Sequence, residues 1–271
     1  MELHDDRPVP GGVARFYDTL GPLLSRAWDD NFHFGYWDTP DDPRSVESAT
    51  DRFTDVLIGR LGVDVGHRVL DVGCGIGKPA LRVARATGAG VLGISVNEGQ
   101  VDDANRRARA EGLDRLVSFE CADAMRMPYD DASFDAVLAL ESILHMDRGV
   151  ALREMARVLR RGGRLVLTDV LVPEGAGDAD LLRRSEEVLN GGGATLDDYL
   201  RLTREAGLDV VELVDVSQHT SPTVPRMAER FRRSGLVADP ATDAGRIVAV
   251  TEELPEVGCL ILVARHAAQT R

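Results

Sequence analysis

Three cysteines, Cys74, Cys121 and Cys259, are all that the 271 residues contain. They are odd in number and widely separated, without paired spacing, so neither a disulfide framework nor a zinc site is expected. Two of them stand beside predicted strand ends and read as small buried hydrophobes. The opening Met-Glu-Leu-His-Asp-Asp-Arg lacks an apolar core segment, and a secretory signal is not expected. No uninterrupted apolar run approaches the length of a membrane span. Positive charge is also scarce: 32 Lys and Arg stand against 45 Asp and Glu, a formal charge of −13. Such a surface repels phosphate backbones and anionic membranes, which argues against a nucleic-acid or membrane partner. The simplest expectation is a soluble cytoplasmic protein with a small-molecule partner, a homodimer being left open.

The chain does have enough apolar material, 44 % of its residues, for one substantial core and a small appended subdomain. Its most informative stretch is Val-Leu-Asp-Val-Gly-Cys-Gly-Ile-Gly-Lys-Pro, from Val69 to Pro79. An apolar strand runs into glycines at alternate positions, Gly73, Gly75 and Gly77, and a helix follows with Pro79 in its first turn, where a missing N–H costs nothing. Glycines so spaced let the chain turn sharply and let a ligand lie against bare backbone. That ligand would sit at the carboxyl edge of a parallel sheet. Asp71, just before the glycines, can receive a cation or a hydroxyl. A dinucleotide site would need its third glycine three residues after the second, where Lys78 stands. It would also need an acid about 20 residues on, closing the second strand, where Ser95 stands. A nucleoside-type ligand without a pyrophosphate fits better, and a tight turn with no ligand is the bland alternative.

From Arg68 the chain alternates short apolar strands with amphipathic helices, the pattern of βαβ units. Strands are expected near 68–72, 90–95, 116–120, 134–140 and 164–171, with helices near 78–87, 98–111 and 148–160. Gly162 and Gly163 are expected to stop the last helix. Residues 1–12 read as a mobile tail, and 13–62 as helical pieces broken by Pro22, Pro40 and Pro43. The stretch 173–195 is either a linker or the hinge of a lid. A helix near 195–206, a strand near 208–216, a polar helix near 222–234 and a final strand at Cys259–Ala264 complete the pattern. The division expected is a tail and helical cap (1–62), a Rossmann-like core (63–172), a lid and acceptor-binding insertion with strand 6 (173–240), and a final strand (241–271).

The glycine segment resembles the first motif of class I S-adenosylmethionine-dependent methyltransferases. The likeness to their small-molecule, antibiotic-pathway branch runs from about Phe16 to Arg265. It covers Phe-His-Phe-Gly-Tyr-Trp (32–37), Ala-Asp-Ala-Met (122–125), Leu-Glu-Ser-Ile-Leu-His-Met (140–146) and Arg-Gly-Gly-Arg-Leu-Val-Leu-Thr-Asp (161–169). The resemblance implies an α/β Rossmann-like sheet, mostly parallel with its last strand antiparallel, beneath an N-terminal helical cap. It implies S-adenosyl-L-methionine as cofactor, leaving as S-adenosyl-L-homocysteine, on Asp71 and the three glycines. Ser95 and Gln100 would hold the ribose, although Ser95 with Glu98, and Asn97 with Gln100, equally have helix-capping spacing. Asp123 and the amide of Ala124 would serve the adenine, with Met125, Leu140 and Tyr17 around the cofactor.

For chemistry the resemblance points to His145, after the fourth strand, and Asp169, closing the fifth. An imidazole with an unperturbed pKa of about 6.5 suits the removal of a hydroxyl proton. Asp169 would orient that imidazole, stabilise its charged form or bind the acceptor hydroxyl. The expected activity is O-methylation of a small natural product. N- or C-methylation, or a cyclase that holds the cofactor without spending it, are the alternatives. Asp169-Val170 lacks the second acid that magnesium-dependent catechol-type enzymes use, so no metal is expected. His33 and His219 are weaker candidates, for the cofactor carboxylate and the acceptor pocket; His4, His67 and His266 read as peripheral.

Overall fold

The computed structural model describes residues 12–14, 17–18, 21, 30–39, 41–172, 191–234 and 258–266. One sheet of β1 (Arg68–Val72), β2 (Gly90–Ser95), β3 (Val117–Cys121), β4 (Phe134–Leu140), β5 (Leu159–Leu171), β6 (Leu208–Asp215) and β7 (Gly258–His266) organises them. The spatial order is β3-β2-β1-β4-β5-β7-β6. Pairing is parallel from β3 through β5, and β7 runs antiparallel to both β5 and β6, as the resemblance implied. Winding reverses between β1 and β4, which opens a crevice at the carboxyl ends of those two strands.

The helices are α1 (Val46–Leu61), α2 (Lys78–Thr87), α3 (Glu98–Ala110), α4 (Arg148–Val158), α5 (Leu196–Glu205), α6 (Ser217–Thr220) and α7 (Thr223–Ser234). They cover the sheet on both faces, and strand alternation divides the core accordingly. Val69 joins Phe53, Leu57 and Leu81 under α1 and α2, whereas Leu70 and Val72 join Leu152, Met155 and Tyr199 under α4 and α5. Strands covered on both sides need apolar residues at nearly every position, and in β7 Gly258 to Ala264 are all buried. Among the described residues no helix is long and apolar enough to cross a membrane.

Two expectations are corrected here. Gly162 and Gly163 do not stop α4. The helix ends at Val158, and Leu159 already adopts extended backbone (φ −78°, ψ 131°) and pairs with Phe134. The glycines lie within β5, where its register with β4 slips between Phe134 and Ala136. A Cβ on Gly163 would fall 2.5 Å from the Asp135 carbonyl oxygen, so this glycine permits a close strand approach. Second, residues 31–37 are not helical; they form an extended strap. Its amides bond outward one after another: Gly35 N–H to Thr223 Oγ1 (3.1 Å), Tyr36 N–H to Ala49 O (2.9 Å) and Trp37 N–H to His219 O (2.9 Å). The strap lies close enough to α1 that a Cβ on Gly35 would meet Ala49 Cβ at 2.7 Å.

Residues 1–11 of the expected tail (1–12), the body of the expected lid (173–190) and the stretch 235–257 lie outside the described residues. After the lid segment the chain re-enters through a bridge between Leu171 and Ala194.

Candidate functional site

A cleft of about 780 Å³, counting the solvent at its mouth, opens at the crevice between β1 and β4. The three glycines of the turn after β1 do different work. Each has a left-handed φ, 72° at Gly73, 52° at Gly75 and 87° at Gly77, which an L side chain resists. A Cβ at Gly73 would collide with Ser142 Cβ at 2.2 Å, and one at Gly77 with the Phe119 ring at 2.5 Å. At Gly75 a Cβ would meet nothing within 4 Å. Gly73 and Gly77 thus serve packing, and Gly75 leaves backbone bare to the cleft. Gly73 and Gly75 line it; Gly77 lies behind, as N-cap of α2.

Asp71 stands just beneath this turn and is buried. Its Oδ2 has no hydrogen-bond partner, and burial pushes its carboxyl up from 3.8 to about 7. A buried carboxylate oxygen without a partner is costly, and a ligand cation would relieve that cost.

On the next strand, Ser95 Oγ donates to Gln100 Oε1 at 2.9 Å, and both border the cleft. Asn97 caps α3, its Oδ1 accepting the Gln100 amide at 2.9 Å. The capping and cleft-facing readings are therefore compatible, because Asn97 takes the first and leaves the Ser95–Gln100 pair for the second. Asn97 also donates through Nδ2 to Asp18 Oδ1 (2.7 Å) and Ala14 O (3.0 Å), tying the N-terminal segment to the rim. Asp123 Oδ1 accepts the Met125 amide at 2.8 Å, which fixes the turn whose residues Ala122 to Met125 form the far wall. Leu140 ends β4 on the opposite side.

After Leu140 a single 3₁₀ turn, Ile143–His145, carries the imidazole to the cleft edge. Ser142 anchors that turn by donating to Val72 O at 2.6 Å. His145 Nε2 lies 3.1 Å from the Tyr17 hydroxyl, and the two rings meet edge to face at 5.7 Å. Burial, with a smaller contribution from the Glu141 charge, pushes the Tyr17 phenol up to about 12. It is a neutral hydrogen-bonding group at physiological pH.

Asp169 does not take the place expected for it. Its side chain is fully buried and absent from the cleft lining. Oδ2 accepts from Arg148 Nε (2.7 Å) and the Tyr199 hydroxyl (2.5 Å), and Oδ1 from the Val170 amide (2.8 Å). Burial raises its pKa and Arg148 opposes the rise. Arg148 also donates to Gly192 O, so this network fastens β5 to α4, α5 and the re-entering segment. Position at a strand end is a weak guide to which way a carboxylate points, and the two flanking helices supplied the partners.

Of the weaker histidines, His33 is buried, donates from Nδ1 to Phe34 O at 2.8 Å, and is pushed down to about 4 by desolvation. His219 stacks on Tyr36 at 4.4 Å and bonds Trp37 O; both support the strap. His67 and His266 pair with Asp64 and Leu159 O at the periphery. His4 lies outside the described residues. Sequence reasoning missed Asn97 as a tether, and missed Glu141, whose left-handed φ of 48° and distant partner leave no signal in the linear chain.

A ligand here would lie on the bare backbone at Gly75, with Asp71 buried behind the lining. Such a cleft, at the carboxyl edge of a Rossmann-like sheet, suits a nucleoside-type ligand. Residues 70–167 match the family model described as a methyltransferase domain. Over 270 residues the chain is 46 % identical to 27-O-demethylrifamycin SV methyltransferase of Amycolatopsis mediterranei (strain S699), spanning 96 % of this chain and 98 % of that protein. It is 44 % identical to methyltransferase GfsG of Streptomyces halstedii, spanning 81 % and 80 %. Among solved structures, the [4+2]-cyclase SpnF is similar, with a TM-score of 0.86 at 35 % identity and 97 % of each chain covered. The chain belongs to the S-adenosylmethionine-dependent methyltransferases, with S-adenosyl-L-methionine as its cofactor.

The residues present fit that cofactor, since the orphaned Asp71 oxygen and the open space over Gly75 suit its charged and nucleoside parts. Gly75→Ala separates ligand contact from packing. Its left-handed φ costs the fold about 1–2 kcal/mol, while the new methyl enters the cleft, so S-adenosylhomocysteine affinity should fall at least tenfold by calorimetry. Gly77→Ala should instead lower the unfolding temperature more, through the Phe119 clash.

Proposed function

We propose that this protein transfers a methyl group to a hydroxyl of a small secondary metabolite, a polyketide or glycoside, with His145 as general base. One observation carries this reading: an imidazole at the carboxyl edge of β4, aimed and held by a neutral phenol, borders the cofactor cleft. The names of the relatives, an O-demethylrifamycin methyltransferase at 46 % identity among them, support a small-molecule hydroxyl as acceptor.

When bound, S-adenosylmethionine supplies an electrophilic methyl on a sulfonium. The glycine turn, Asp71, the Ser95–Gln100 pair and Asp123 would bind and orient it. His145 would take the hydroxyl proton as the new C–O bond forms and the methyl–sulfur bond breaks, with the Tyr17 hydroxyl, 3.1 Å from Nε2, fixing the position of the ring. Tyr17 keeps its own proton, its pKa being pushed to about 12. Asp169 supports the site from behind by holding Arg148 and Tyr199.

The likeness to SpnF favours one second reading, ring closure without methyl transfer. Incubation with methyl-labelled cofactor and 27-O-demethylrifamycin SV or related hydroxylated polyketides tests both. Label recovered in a methyl ether supports the first reading. Label on nitrogen or carbon rejects the O-methyl assignment, and cyclised product with the label still on the cofactor supports the second.

A further inference from the structure

The strap 31–37 bonds mainly to peripheral elements, α1, α6 and α7. One bond is different in kind. The Phe34 amide donates to both carboxyl oxygens of Glu141, at 2.9 and 3.0 Å, across 107 residues of sequence. Glu141 lies in the turn that carries His145 and borders the cleft itself. Its backbone is held in place by its own amide, which bonds Thr168 O (3.2 Å) and Thr168 Oγ1 (3.1 Å). Two residues before Phe34, Phe32 also lines the cleft, its ring 6.5 Å from that of Tyr17. The left-handed φ of 48° costs a glutamate about 1 kcal/mol or more that glycine would not suffer. A side chain kept in so unfavourable a backbone state is a reason to look for a role.

We propose that Glu141 is a positioning residue: its carboxyl clasps the Phe34 amide and thereby holds the strap, and with it Phe32, over the bound cofactor. The inference rests on the cofactor reading of the cleft. Burial, with a lesser push from Asp169, raises the Glu141 carboxyl well above the usual range. Glutamine, which presents the same acceptor oxygen to the Phe34 amide, should replace it.

Two readouts on Glu141→Gly and Glu141→Gln test this. Glycine removes the carboxyl and relieves the strained φ, so Glu141→Gly should unfold at or above the wild-type temperature. In the ligand-free protein its Phe34–Trp37 amides should nonetheless exchange with deuterium about 3–10-fold faster, and S-adenosylhomocysteine should dissociate faster by a similar factor, as expected for one lost hydrogen bond. Glu141→Gln should stay within about twofold of wild type in both. Unchanged exchange in Glu141→Gly overturns the clasp. Faster exchange with an unchanged dissociation rate overturns its role toward the cofactor, and a Gln variant as fast as Gly overturns the acceptor bond. If the wild type takes up no S-adenosylhomocysteine, the cofactor reading fails, and the exchange measurement still decides the clasp.

Discussion

With His145 replaced by alanine, methyl transfer at pH 7 is expected to slow by about 10²–10⁴-fold, the usual contribution of a general base. The S-adenosylhomocysteine dissociation constant should stay within a few-fold of wild type. The separation follows from where the residue sits. His145 is on the 3₁₀ turn after β4, whereas the groups suited to the cofactor come from β1, the β2–α3 turn and the loop after β3. Removing the imidazole leaves the glycine turn and Asp123 as they are. Some turnover should persist, because holding an acceptor in line with a methyl group is itself worth a large effective molarity, about 10⁵–10⁸ M in favourable cases. Single-turnover measurement with labelled cofactor reads the transfer step apart from product release. An unchanged single-turnover rate would remove His145 from the mechanism.

Asp71→Asn is expected to act in opposite directions on stability and binding. In the ligand-free fold the Asp71 carboxyl holds its proton up to about pH 7, against about 3.9 in an unfolded chain. Between those values the folded state binds the extra proton, so this group lowers stability as pH rises through the window, by 1.36 kcal/mol per unit. The penalty is absent below about pH 4 and complete above 7, where it reaches roughly 4 kcal/mol. Asparagine escapes it but leaves its own buried amide short of partners, at a cost of about 1–3 kcal/mol. The net expectation at pH 8 is a variant about 1–3 kcal/mol more stable than wild type, with the advantage gone or reversed at pH 4. Urea titrations at both pH values check this. With Asp71 proposed as the partner of the ligand's ammonium group, losing that charged hydrogen bond should weaken S-adenosylhomocysteine about 10–100-fold. Parallel pH dependence of stability in the two proteins would show that Asp71 does not carry the buried proton.

Legibility in the sequence tracked how local each cause was. The strand before Gly73 and the helix after Pro79 were readable because glycine and proline act over a few residues. The expected end of α4 failed where two local signals competed. Gly162 and Gly163 look like a helix stop, but the pairing of Leu159 with Phe134 ended the helix earlier and carried the glycines into a strand. The aromatic run at 32–37 likewise became an extended strap because its amides found acceptors on α1, His219 and Thr223, none of which lies within ten residues of them.

The site divided along the same line. Its chemistry at the glycine turn and its candidate base at the end of β4 follow from the linear order alone, since a parallel sheet delivers every strand's carboxyl end to one edge. Which partner each buried polar group takes does not follow. Asp169 found Arg148 and Tyr199, Tyr17 found His145, and Glu141 found Phe34, each choice made by the packing of segments from 21 to 128 residues apart. Buried donors and acceptors must be paired. The sequence by itself determined what kinds of groups would need partners, and the tertiary fold alone decided which came within reach.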